Sequence, residues 1–427
     1  MSCQFDRPSD VLPNFDAAVD APPPECQAGL HACAADVYTE CDPDGRFVRY
    51  QLPNGGPSGA ASTLTMDQYP CPLGCHPSEG RCLEVAPSNG LGALTVTRGT
   101  VDLDLTDTSG DVSFLTSSMI TAGAVTIQEP NGTMHRVPAQ VVTQAGGPEV
   151  LVLRVRTLSI RAGVTFLPIG SRALAIVSDF DIYVAGTLAA SWRGFPGFAP
   201  TPSACWGTTH ADTSGGGGNV SAGGASSASA AGGAALDPTR IVSPLIAGCP
   251  GGIIGNQSGG LPGGALQLIS GTRIHIDATG LITVAGGGGR GFVSTSDGRG
   301  KAAGGGAGGA VVVEAPSLLI TPGGAINGRG GSGAAASGTS GGAVASGRPG
   351  DDPTLDATVP GATCVGCGTG GNGGIESVPP TSGTGVAPQL GGGGGAAGRM
   401  TLRLRQLSAF PAGSMKIPST FQPVPTR

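Results

Sequence analysis

Charge, aromatic rings and long apolar runs are all scarce in this 427-residue chain, and each scarcity removes a class of function. Only 12% of residues are charged and 4% are aromatic. Lys and Arg number 23 against 29 Asp and Glu, and the formal net charge of −6 supplies no electrostatic footprint for a nucleic acid. No stretch reaches the ~20 apolar residues that a bilayer-crossing helix needs. The strongest run, from Val150, is interrupted by Arg154 and Arg156. The opening residues MSCQFDRPSD carry neither the basic nor the apolar region of a secretory signal. No motif calls for a cofactor, because the GxGxxG-like strings occur in glycine-rich text without a strand and helix around them.

Glycine, proline and cysteine are abundant instead, at 78, 35 and 11 residues. Each helical Gly costs about 1 kcal/mol relative to Ala, so a helix-rich architecture is excluded. Eleven cysteines beside five histidines favour disulfides over metal sites, and disulfides persist only in oxidising compartments. The chain is therefore expected to be exported, to the extracellular space or the outer cell surface. Cys3 precedes a polar, proline-containing tether over residues 1–25. It resembles the first mature residue of a bacterial lipoprotein, which implies a lipid anchor on Cys3 and leaves an even number of cysteines to pair.

Residues 26–84 form a first module holding Cys26, Cys33, Cys41, Cys71, Cys75 and Cys82. It is too short for an ample apolar core, so disulfides are expected to staple it, in pairings that spacing does not choose. His76 makes zinc a minor alternative. The Asp44-Gly45 turn and the alternating FVRY after it predict a hairpin strand. The spacing of the six resembles small cysteine-rich repeats of secreted lipoproteins of myxobacterial type.

From residue 90 to 427 the text is repetitive and all-β. Short alternating strands begin with LTVTRGTVDLDL from Leu94, and then one pattern recurs at Leu153, Ala173, Ala265, Ala310 and Arg399. Each copy has an alternating strand, a polar or proline-containing corner, a second alternating strand, a glycine turn and a further apolar residue. A unit this small cannot bury its apolar side alone, whereas stacked units can. The expected fold is a right-handed parallel β-helix, a solenoid in which Ile182 and Val184 stack over Ile274 and Ile276 and then Leu318 and Ile320; a β-sandwich is the alternative. Three insertions rich in Gly, Ala and Ser, at 192–263, 286–309 and 328–398, follow the apolar residues Leu188, Val284 and Ile326. They should therefore leave one corner side by side. Flexible loops are the ordinary expectation for such composition. Packed polyproline-II strands are the ordered alternative, since backbones without Cβ can approach closely. This half of the chain resembles glycine-rich β-helical surface proteins of myxobacteria and, more loosely, bacterial and phage adhesins. The resemblance implies exposure and binding.

Several residues are candidates for chemistry. Cys205 with Cys249, and Cys364 with Cys367, are placed to staple the first and third insertions internally; the latter pair also has the spacing of a redox motif, without the helix that lowers a thiol pKa. Alternation points Arg273, His275 and Asp277 outward, beside Asp181 and Tyr183 of the preceding copy, as a polysaccharide lyase or hydrolase on a β-helix would require. The neutral Thr157, Ser159 and Leu319 at matching places interrupt that cluster. Trp192, Phe195, Phe198 and Trp206 at the mouth of the first insertion can stack on sugars or anchor the loop. Asp351 and Asp352 lack the spaced ladder of a calcium loop, so no metal is assigned. The function expected is that of a structural or adhesive surface protein meeting carbohydrate, cell-surface or matrix components. The alternatives are the polysaccharide enzyme and a passive coat component.

Overall fold

A computed structural model describes residues 84–427 apart from 92–98, 118–119, 194–202, 237–241, 255–256, 353–357, 377, 406–409 and 425–427, together with four strand backbones between residues 32 and 70. The chain divides into two compact units, Met1–Leu83 and Glu84–Arg427. In the first, strands Ala32–Ala34, Val37–Cys41, Phe47–Leu52 and Thr65–Pro70 pair antiparallel in sequence order. The predicted hairpin is there, with Cys41 opposite Val48. Cys33 and Cys41 are placed only as strand backbone, whereas Cys3, Cys26, Cys71, Cys75, Cys82 and His76 lie outside the described residues.

The second unit is all-β. Ser203–Cys205 forms a short 3-10 turn. Three sheets carry its core. The first has the strand order Ser317–Ile320, Arg273–Ile276, Ile182–Val184, Thr157–Ile160, Asp102–Leu105. The second runs Met415–Lys416, Ala325–Asn327, Leu281–Thr283, Thr187–Ala189, Thr165–Ile169, Asp111–Leu115. In the third, Ser419–Pro423, Arg399–Leu404, Ala310–Ala315, Ala265–Ser270, Ala173–Ser178 and Val150–Val155 are parallel, and the hairpin Ala124–Gln128 and Met134–Val142 closes one edge antiparallel. Each circuit visits the third, first and second sheets in turn.

Period-two alternation sets the register, because a one-residue slip would turn every apolar side chain outward. Ile182 pairs with Ile274 and Ile274 with Leu318, while Val184 pairs with Ile276 and Ile276 with Ile320. These rungs are buried in one continuous apolar cluster. Leu188 and Ile326 share a rung with Ile282, two residues before the expected Val284. Ile276→Val removes one methyl group from a complete rung and is expected to cost about 1 kcal/mol in chemical unfolding.

The central strands of the third sheet, Val150–Val155, Ala173–Ser178, Ala265–Ser270 and Ala310–Ala315, are buried on both faces, which fits their nearly unbroken apolar sequences. Residues 84–91 cross the sheet's outer side: the Ser88 amide donates to the Glu314 carboxylate at 3.2 Å, and Asn89 Nδ2 donates to Gln267 Oε1 at 3.1 Å. This strip therefore belongs to the β-domain, which begins before the expected residue 90. Burial raises the Glu314 pKa against hydrogen bonds from Ser88 and Gln267.

Candidate functional site

The three insertions all leave between a second-sheet strand and the next third-sheet strand. They depart after Thr187–Ala189, Leu281–Thr283 and Ala325–Asn327, and return at Ala265–Ser270, Ala310–Ala315 and Arg399–Leu404. Their described residues are ordered, and for these the flexible-loop expectation is corrected. Their glycine runs interlock in one array through backbone hydrogen bonds that repeat every three residues. Gly215 and Gly218 both donate to the segment containing Thr208 and Cys205, Gly216 donates to Gly224, and Gly217 donates to Gly305. Gly305 and Gly308 donate to Gly393 and Ala396, and Gly392, Gly395 and Gly398 donate to Ala334, Gly331 and Gly328. Three residues per turn with every bond made to a neighbour is the period of polyproline II. Gly217 to Gly305, Gly305 to Gly393 and Ala396 to Gly217 tie each insertion directly to both others.

Glycine is required here by close approach. A Cβ on Gly216 would lie 1.9 Å from the Gly394 carbonyl oxygen, and one on Gly304 would lie 2.1 Å from that of Gly215. Backbone hydrogen bonding and backbone packing thus replace the apolar core that the composition cannot provide. Sequence inspection had a signal for this in the length of the glycine runs, but none for which run meets which.

The disulfides lie within this assembly. Cys205 bonds to Cys249 across 44 positions with Cα atoms 5.8 Å apart, and Cys364 bonds to Cys367. The first is buried; the second closes an exposed turn around Val365.

Trp192 connects the mouth of the first insertion to the third: its Nε1 donates to Asp351 Oδ1 at 2.8 Å. That contact gives Trp192 an anchoring place. Trp206 is half-buried, and Phe195 and Phe198 lie outside the described residues. Asp352 faces Arg348 at 3.7 Å, so both aspartates that suggested calcium have protein partners. Among the described residues no group of three or more His, Cys, Asp or Glu converges on a metal position, and no helix is long and apolar enough to cross a membrane.

Burial raises the Asp351 pKa, with the Trp192 hydrogen bond opposing it. Asp351 consequently holds its proton more tightly folded than unfolded, and its contribution to stability falls as pH rises from the ordinary carboxylate range through the raised value. Asp351→Asn retains an oxygen for Trp192 and removes the titration. Its unfolding midpoint should gain on wild type as pH rises above the ordinary carboxylate range. A difference that stays flat or shrinks with rising pH would contradict this assignment.

The outward cluster on the first sheet is assembled as its alternation indicated. His275 pairs with Tyr183, and their rings lie 5.2 Å apart, edge to face. Arg273 Nη2 meets Asp181 Oδ2 at 2.5 Å, the Tyr183 hydroxyl donates to Asp277 Oδ2 at 2.6 Å, and His275 Nε2 is 3.1 Å from Thr321 Oγ1. The Tyr183 hydrogen bond holds Asp277 below the usual carboxylate range, and burial together with Arg273 holds His275 below the usual imidazole range. Ser159 and Leu319 occupy the same row. Neighbouring carboxylates are paired as well, Asp102 with Arg156 and Asp104 with Arg161. An ionised, internally bonded Asp277 is the reverse of what a general acid needs.

At one margin of the array the first and second insertions enclose a cleft of about 400 Å³, lined by Ile254, Gln257, Phe292, Ser294 and Ser296, with Lys301 in its lining. Lys301 Nζ bridges Asp297, at 2.8 Å, and Asp212, which fastens the two insertions together. Comparisons of the chain with family models, curated proteins and solved structures find no match.

Proposed function

We propose that this chain is an exported cell-surface protein in which a right-handed parallel β-helix serves as a rigid spacer and the glycine-rich array is its adhesive face. Cys3 carries the lipid that tethers it, and carbohydrate or matrix components are the partners. The observation that carries this reading is that all three insertions leave one corner and interlock into a single body. Parallel ladders visited in a fixed order favour the solenoid over a β-sandwich, whose sheets are antiparallel. The disulfides within the insertions fit an oxidising location. The polysaccharide-enzyme reading has weaker support, because the outward charges on the first sheet are consumed by one another.

The test is to express the gene with its upstream codons in its host, determine the intact mass, and measure attachment to polysaccharide-coated surfaces. An acylated Cys3, paired remaining cysteines, and attachment that is lost when Gly216→Val breaks the array are expected. Free thiols, or undiminished attachment by that variant, would defeat the reading. Equal coating of every surface without saturation would instead mark a passive coat component.

A further inference from the structure

We infer that the cleft between the first and second insertions, built by Phe292, Ile254, Gln257, Ser294 and Ser296, is a binding site for an uncharged hexose unit of a polysaccharide. The inference rests on the adhesive reading and gives it a place and a ligand class. The cleft volume, about 400 Å³, falls within the range of small-ligand sites. Its walls are of two kinds. Phe292, half-buried on the strand Gly291–Val293, and Ile254 supply an apolar surface of the sort on which the C–H face of a pyranose rests. Gln257, Ser294, Thr295 and Ser296 supply amide and hydroxyl groups that both donate and accept, as sugar hydroxyls do.

Charge decides between sugar classes. Two cations, Lys301 and Arg290, stand at the cleft against two carboxylates, Asp212 and Asp297. Lys301 Nζ is engaged by both carboxylates, and Arg290 Nη1 donates to Gln257 Oε1 at 3.3 Å. The two positive and two negative charges balance, so the cleft presents no net positive charge to select a uronate or sulfate group. With its oxygen held by Arg290, the Gln257 amide NH₂ is directed to donate. Ser294 and Ser296 hydroxyls lie 2.9 Å apart, a paired donor and acceptor of the kind that vicinal sugar hydroxyls engage. The site joins two insertions, so it exists only when the array is assembled.

The experiment is binding of the full chain to an array of neutral and acidic glycans, followed by titration of the best neutral glycan against wild type, Phe292→Ala and Gln257→Ala. Saturable binding to neutral hexose glycans is expected, weakened about tenfold or more by Phe292→Ala. Gln257 is exposed, so Gln257→Ala leaves the fold intact and should weaken binding about threefold or more. Preference for acidic glycans, no binding across the array, or unchanged affinity in both variants would overturn the site. Surface attachment measured on the same proteins separates the two failures. Attachment that survives both substitutions but not Gly216→Val leaves the adhesive reading standing without this cleft, whereas no attachment by wild type removes the reading itself.

Discussion

Gly216→Val should dissolve the glycine-rich array while the three parallel sheets stay folded. The new Cβ would sit 1.9 Å from the Gly394 oxygen and 2.3 Å from its carbonyl carbon, positions held by backbone with no side chain able to swing aside. Relief requires moving Gly394, whose oxygen accepts from Gly224, and Gly216 itself, whose oxygen accepts from Gly233. Several backbone bonds then fail together, at a cost on the order of 4 kcal/mol or more. Limited proteolysis should cut within the three insertions of the variant, while circular dichroism retains the β-signal of the core. Gly110→Ala is the comparison: its Cβ would meet only Pro130 side-chain atoms, the nearer at 3.3 Å, and its loss should be far smaller. Equal resistance of Gly216→Val and wild type to protease would show that the runs do not pack as described.

Loss of the Cys205–Cys249 bond should be the second large effect. The bond closes a loop across 44 positions, which corresponds to about 4 kcal/mol in the chain-entropy model. The Cys364–Cys367 bond spans a separation of 3 and corresponds to about 2 kcal/mol. Cys205 and Cys249 are 2% and 0% exposed, so a mild reductant should open the Cys364–Cys367 turn first and lower the unfolding midpoint by about half as much as loss of the Cys205–Cys249 bond. The double variant Cys205→Ala, Cys249→Ala should unfold at a markedly lower midpoint. Simultaneous reduction of both bonds, or a double variant as stable as wild type, would show that the loop is held by its glycine contacts alone.

Much of the scaffold was legible from the residues. Alternation in RIHI and IYV identifies which side chains point inward, and the repeated corner aligns one copy with the next, so the rungs from Ile182 to Leu318 follow from local pattern. The outward row of Tyr183 and His275 follows from the same alternation. What alternation does not carry is the pairing of outward charges: that Tyr183 bonds Asp277, and Arg273 bonds Asp181, depends on side-chain reach across strands. The cleft also had no signature, because Gln257 and Phe292 belong to different insertions and adjoin only where those insertions meet.

The sequence by itself determined the all-β class, the stacking register and the corner from which the insertions depart. These depend on period-two side-chain patterning, which is written locally along each strand. Tertiary structure alone decided the partners within the array and the covering of the third sheet. Gly216 and Gly394 carry no side chain by which either could specify the other, and the carboxylate of Glu314 finds the Ser88 amide 226 positions away. Backbone groups are chemically alike at every residue, so which of them meet is settled only when the whole chain has packed.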